Sequence, residues 1–119
     1  QQREEQWLAI LDEFATGITD WSGFDEYRRN LWQKQLHLYE VPFYYIEYGI
    51  AQLGAIAMWR QYRENKEQAL ENYKAALSLG YTKTLKELYA TAGISFDFSP
   101  AYVAELGSFV KERLVEMGV

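Results

Sequence analysis

Cysteine is absent from the 119 residues. That excludes disulfides and thiolate metal sites, and it leaves the redox compartment open. Histidine occurs once, at His37. A zinc helix of the H-E-x-x-H type needs two histidines one turn apart, so this chain cannot form one. Long apolar runs are also missing, and no membrane span is expected. The most apolar region, 41–59, is interrupted by Glu47 and Gln52. A basic surplus is lacking too. Twelve Lys and Arg face 17 Asp and Glu, for a net charge of -5. Such a surface repels phosphates, so nucleic acid is not an expected partner. No Ser–His–Asp set, phosphate loop or dinucleotide fingerprint occurs. The start, QQREEQ, is polar and unlike a signal peptide. Gln1 opens directly into a helical pattern, so a piece of a longer helical protein is expected.

What is present is ordinary globular composition, 49% hydrophobic and 24% charged. The length fits one domain, which would bury roughly 65% of its unfolded surface. Helical spacing of Trp7, Ile10, Leu11, Phe14 and Ala15 predicts a helix over about 3–16, ended near Gly17. Ser22 with Asp25 has capping-box spacing for a second helix running to Leu36 or His37. Pro42 stops it. Phe43 to Arg63 reads as the longest helix, and Gly49 and Gly54 suggest close packing against a neighbour. Asn65 with Gln68 predicts a capped helix over 66–79, and Thr84 with Glu87 a short one ended by Gly93. Ser99-Pro100 opens the last, with Val103, Leu106, Val110, Leu114 and Met117 on one face. The expectation is all-α, about six helices. Segment 94–98 alternates but has no partner strand. Residues 66–92 resemble one helical-hairpin repeat, and a single copy cannot bury its face.

The stretch HLYEVPFYYIEYGIAQLG, at 37–54, carries the one histidine, four tyrosines and two carboxylates. For His37 the plain reading is a helix end with local bonds. A metal site with Glu40 and Glu47 has no spacing to recommend it across Pro42. Tyr45 and Tyr48, three apart, would share a helical face, with Tyr44 pointing elsewhere. Phenols are neutral donors at pH 7 and can stabilise an oxyanion, each worth ~3 kcal/mol in a dry cleft. The plain alternative is a core helix with hydroxyls at its rim. Residue chemistry alone reaches an all-helical piece of something larger.

The runs DW at 20–21, LWQKQLH at 31–37 and EVPFYYIEYGIAQLGA at 40–55 resemble the C-terminal part of the oligoendopeptidase F family. That family belongs to the thimet-oligopeptidase-like zinc metallopeptidases. ALENYKAALSLG at 69–80 and LKELYATAGISFDF at 85–98 extend the resemblance over essentially the whole chain. It implies a larger all-α catalytic domain, of which 1–119 is a single helical segment. It also implies zinc held by an H-E-x-x-H helix and a later glutamate, the motif glutamate serving as general base. Those ligands are missing here, so zinc belongs to the parent enzyme and this chain should bind none and be inert alone. The resemblance implies oligopeptide substrates, cleavage of internal bonds and a cytoplasmic location. It assigns His37, Tyr45 and Tyr48 to catalysis, as a wall that positions the peptide and stabilises the tetrahedral intermediate. Tyr44 and Tyr39 would contact substrate. The loop from His37 to Phe43 departs in length and glycine content from the thimet-type pattern. The isolated chain should expose an apolar patch and self-associate. The rival reading is a non-catalytic helical module that binds protein or peptide through 66–92. Another is an inactive cap in which His37 and Tyr48 have no role.

Overall fold

The computed structural model describes residues 1–119 as seven α-helices and one 3₁₀ turn, with no strand. The helices are α1 (Gln2–Glu13), α2 (Asp25–Asn30), α3 (His37–Glu40), α4 (Ile46–Glu64), α5 (Lys66–Ser78), α6 (Leu85–Thr91) and α7 (Pro100–Glu116). The 3₁₀ turn is Leu31–Lys34. The all-α expectation holds, with one helix more than the pattern suggested. No helix is long and apolar enough to cross a membrane. The chain divides into two compact units, Gln1–Tyr45 and Ile46–Val119.

In the first unit α1 packs against α2. The Trp7 indole N–H donates to the Arg28 carbonyl at 3.1 Å, and the Arg28 guanidinium pairs with Asp12. No residue here is fully buried. Two expectations fail. Ser22 does not cap α2. Its N–H and hydroxyl both donate to the Asp20 carboxylate, at 2.9 and 2.6 Å, and Phe24 stands at the N-cap without a side-chain bond. The helix opens only at Asp25, which puts Ser22 two residues ahead of the N-cap and out of position to accept from the first-turn N–H groups. The second helix also breaks early. The Asn30 side-chain amide donates to the Glu26 carbonyl at 3.0 Å and accepts from Gln33 at 3.1 Å. A side chain competing for an i−4 carbonyl weakens the helical ladder. The chain tightens to 3₁₀ and then extends at Gln35 (φ -86°, ψ 90°).

In the second unit α5 and α7 both pack on α4, and α6 packs on α5. Small residues let the backbones approach. Gly54 and Ala57 of α4, Ala69 of α5 and Ala92 after α6 are buried. Leu106 of α7 is the one large side chain with no exposed surface. Trp59 meets Phe109 edge-on, centroids 5.0 Å apart. Arg60 pairs with Glu105, and Glu116 lies 2.8 Å from Arg113 and 3.6 Å from Arg63. These pairs are partly exposed and contribute little each. Ser99 caps α7 and Thr84 closes a full capping box with Glu87. Asn65 caps α5, but the Gln68 side chain donates to Asn72 at 2.9 Å instead of returning to the cap. Of the two α4 glycines only Gly54 is packed; a side chain at Gly49 would meet open space.

Gly93 ends α6 in the left-handed region (φ +74°), and its carbonyl accepts from the Gln61 amide at 3.0 Å. A Cβ there would collide with Gln61 and stand 2.8 Å from the Asn72 amide nitrogen. Gly93→Ala should therefore destabilise by about 2 kcal/mol, from the φ penalty and the displaced Gln61 bond. The urea unfolding midpoint reads this directly. An unchanged midpoint would mean that neither the φ angle nor the Gln61 contact constrains the turn.

The surface is large for the mass. Two separately folded pieces of about 5 and 9 kDa would together present roughly 8,000 Å². The chain presents 9642 Å². Phe14, Ile18, Phe43 and Leu77 are among the large apolar side chains left exposed.

Candidate functional site

Residues 37–48 do not form one continuous helix start. Helix α3 ends at Glu40, and Val41 to Tyr45 make a turn before α4 begins at Ile46. Pro42 prevents α3 from continuing, having no N–H and forcing Val41 out of α conformation (φ -135°, ψ 88°). Phe43 then adopts φ +63°, the one non-glycine residue in the left-handed region. That conformation costs a side-chain-bearing residue about 1–2 kcal/mol. Its ring is 94% exposed, so packing of the ring does not repay the strain. The next two residues supply the compensation. The Tyr44 N–H donates to the Val41 carbonyl at 3.3 Å, and the reversed backbone brings Tyr44 and Tyr45 back toward α3.

His37, the first residue of α3, is half-buried at the focus of this turn. Tyr44 stacks on its ring, centroids 5.8 Å apart and planes 10° apart. Tyr45 meets it edge-on at 5.3 Å and 65°. Stacked and edge-to-face rings each gain beyond their burial, so the imidazole is oriented by two phenols on different sides. Tyr44 and Tyr45 remain 39% and 48% exposed. A ligand at this surface would meet one imidazole and two phenols, a set of hydrogen-bonding groups and apolar faces.

The structure thus brings His37, Tyr44 and Tyr45 together in the first unit. It does not bring Tyr39 into the group. Tyr39 pairs with Trp32 instead, centroids 6.0 Å apart. Tyr48 stands in the first turn of α4, in the second unit, about half exposed. The helical-face argument for Tyr45 and Tyr48 fails, because the left-handed Phe43 leaves Tyr45 in the turn ahead of the helix. Tyr44, expected to point elsewhere, is the residue stacked on His37. No glycine marks this turn, so periodicity carried no signal of it.

A metal does not fit these residues. No group of three or more His, Cys, Asp or Glu side chains is arranged to hold an ion anywhere in the chain. His37 with Glu40 and Glu47 is no exception.

A concavity lies on α4, α5 and α6. It is an apolar hollow of about 500 Å³ lined by Met58, Tyr73, Leu77, Leu88, Tyr89 and Ile94, among others.

Among known protein families, the one described as peptidase family M3 matches residues 1–108. No curated protein matches the chain, and no solved structure matches it.

Proposed function

The chain belongs to peptidase family M3, and from that premise we propose that it is the C-terminal, substrate-facing part of a zinc metallopeptidase of the oligoendopeptidase F type. The parent enzyme hydrolyses internal bonds of oligopeptides. The 119 residues supply a wall of the active site and are inert alone. One observation carries this reading: the strained turn at Phe43, which costs energy and whose visible product is the His37–Tyr44–Tyr45 cluster. Strained backbone is retained where the surrounding structure uses it.

The chemistry assigned to the wall needs no ionisation. A peptide carbonyl under attack gathers charge on its oxygen. A phenol O–H aimed at that oxygen donates a stronger hydrogen bond as the charge grows, which favours the transition state over the ground state. Tyr45 and Tyr48 are each assigned that role, and the His37 imidazole is assigned a donor or acceptor role of its own. Tyr44 holds the imidazole plane and presents its own edge to the peptide. Tyr39, turned to Trp32, is left the weakest of the five as a substrate contact. Zinc would be held by residues outside this sequence, since those within it do not fit the metal.

The many exposed large apolar side chains support the same reading, because a wall of a larger domain has faces that the remainder of the domain covers. A second reading draws on the hollow over α4, α5 and α6: a helical module that binds an apolar peptide segment there. Reading the gene upstream of the Gln1 codon separates the two. An open frame that carries H-E-x-x-H and a later glutamate is expected. A start codon at Gln1 would leave the second reading.

A further inference from the structure

Tyr89 of α6 reaches across to α4. Its hydroxyl donates to the Ile50 carbonyl at 3.1 Å, a contact between residues 39 apart in sequence. Ile50 is two residues beyond Tyr48. Inside an α-helix that same carbonyl receives the N–H of residue 54. The phenol therefore adds a second donor to an acceptor already in the helical ladder. Tyr89 comes so close because residue 54 is glycine. A Cβ there would stand 2.6 Å from the Tyr89 hydroxyl oxygen and 3.1 Å from the ring carbon that bears it. Gly49, earlier on the same helix, has no such neighbour. The ring is fixed in turn, edge-on to Phe96 at 5.1 Å, with Phe96 edge-on to Phe98 at 4.9 Å. Burial, and after it the neighbouring Tyr102, raise the Tyr89 phenol above its ordinary value, so it is a neutral donor at pH 7.

Helix α4 needs such a fixture at its beginning. Ile46 is 66% exposed and Tyr48 52% exposed, and the first turn of any helix lacks intrahelical partners for its N–H groups. A helix that slips by one residue turns its side chains through about 100° and shifts them about 1.5 Å. Either change would carry the Tyr48 hydroxyl away from a fixed reaction centre.

We propose that Tyr89 is a positioning residue for Tyr48: by bonding the Ile50 carbonyl and occupying the space over Gly54, it sets the rotation and height of the first turns of α4. The proposal rests on the reading of Tyr48 as a substrate-facing phenol. Tyr89 itself touches no reacting atom. It acts along a chain of contacts that runs from Phe98 through Phe96 and Tyr89 to the backbone beneath Tyr48.

Tyr89→Phe removes the hydroxyl and keeps the ring. Two measurements test it. In the full peptidase, amide exchange over residues 46–54 should quicken by about threefold or more while the exchange of α7 is unchanged. In the full peptidase the same substitution should lower kcat about tenfold with KM within about twofold, because misplacing a donor by a fraction of an ångström affects the transition state first. The double variant Tyr48→Phe/Tyr89→Phe should then turn over no more slowly than Tyr48→Phe alone, since the two act as one unit. Unchanged exchange over 46–54 overturns the proposal whatever the enzyme does. So does full additivity of the two substitutions, or loss of bound zinc in Tyr89→Phe, which would mark a merely structural role. Wild-type turnover in Tyr48→Phe would overturn the reading of Tyr48 and the proposal with it. The exchange result would still report whether Tyr89 fixes α4, so the two failures are told apart.

Discussion

His37→Ala and Tyr48→Phe, each made in the full peptidase, are expected to lower turnover about 100-fold or more while zinc stays bound. The two substitutions remove different things. Tyr48→Phe deletes one hydroxyl from a half-exposed residue on the first turn of α4 and leaves its ring in place. A single donor to a developing oxyanion is worth ~3 kcal/mol, which corresponds to the stated factor. His37→Ala empties the centre of the aromatic cluster, and Tyr44 and Tyr45 lose the ring that both pack against. It should therefore lower kcat and also weaken substrate binding. Steady-state kinetics with an internally quenched peptide, together with metal analysis of each purified variant, checks both. Wild-type turnover from both variants would sink the assignment of this surface to catalysis. It would leave the inactive-cap reading, in which the fold is that of the family and these side chains have no task.

Leu106→Ala should be the most destabilising single truncation in the second unit, costing about 3 kcal/mol. Leu106 is the one large side chain with no exposed surface, and the other fully buried positions are alanine or glycine. An alanine there cannot be compensated by a neighbour that is itself already small. Val103 and Leu114, on the same face of α7, are each 40% exposed. Their truncation to alanine should cost about 1 kcal/mol, because much of each side chain already meets water. Whole proteins have only about 5–15 kcal/mol of stability, so the Leu106 change is a large share of it. Urea unfolding of the three variants, followed by far-UV circular dichroism, gives the order. Equal midpoints for Leu106→Ala and Leu114→Ala would show that α7 is not anchored where its burial says.

Features that depend on neighbours three or four residues away were legible in the chain itself. Thr84 with Glu87, Ser99 before Pro100, and Asn65 ahead of α5 each cap a helix from within its own first turn, and each cap forms. Gly80, Gly93 and Gly118 take the left-handed conformation at helix ends, where only glycine does so freely. Of the apolar face expected for α7, Leu106 is buried, while Val103, Leu114 and Met117 stay exposed. The presence of His37 among tyrosines was legible in the same way, as was the chain's inability to form an H-E-x-x-H helix.

Contacts that periodicity does not pair settled the rest, one of them long-range and others local side-chain bonds. Nothing in the spacing of Gly49 and Gly54 distinguishes them; Tyr89, far along the chain, does. Ser22 and Asp25 have the spacing of a cap, yet the helix opens at Asp25 itself, behind Phe24, and leaves Ser22 in the preceding turn with Asp20. A side-chain bond at Asn30 breaks a helix whose apolar pattern runs on to Leu36. Phe43 reads as the first residue of α4 on composition. It lies instead in the left-handed region, a strain that a local propensity would never select and that the contacts of Tyr44 and Tyr45 with His37 offset. That one backbone angle takes Tyr45 out of the helix and sets Tyr44 and Tyr45 on His37, which is why the candidate site was visible as a set of residues before it was visible as a geometry.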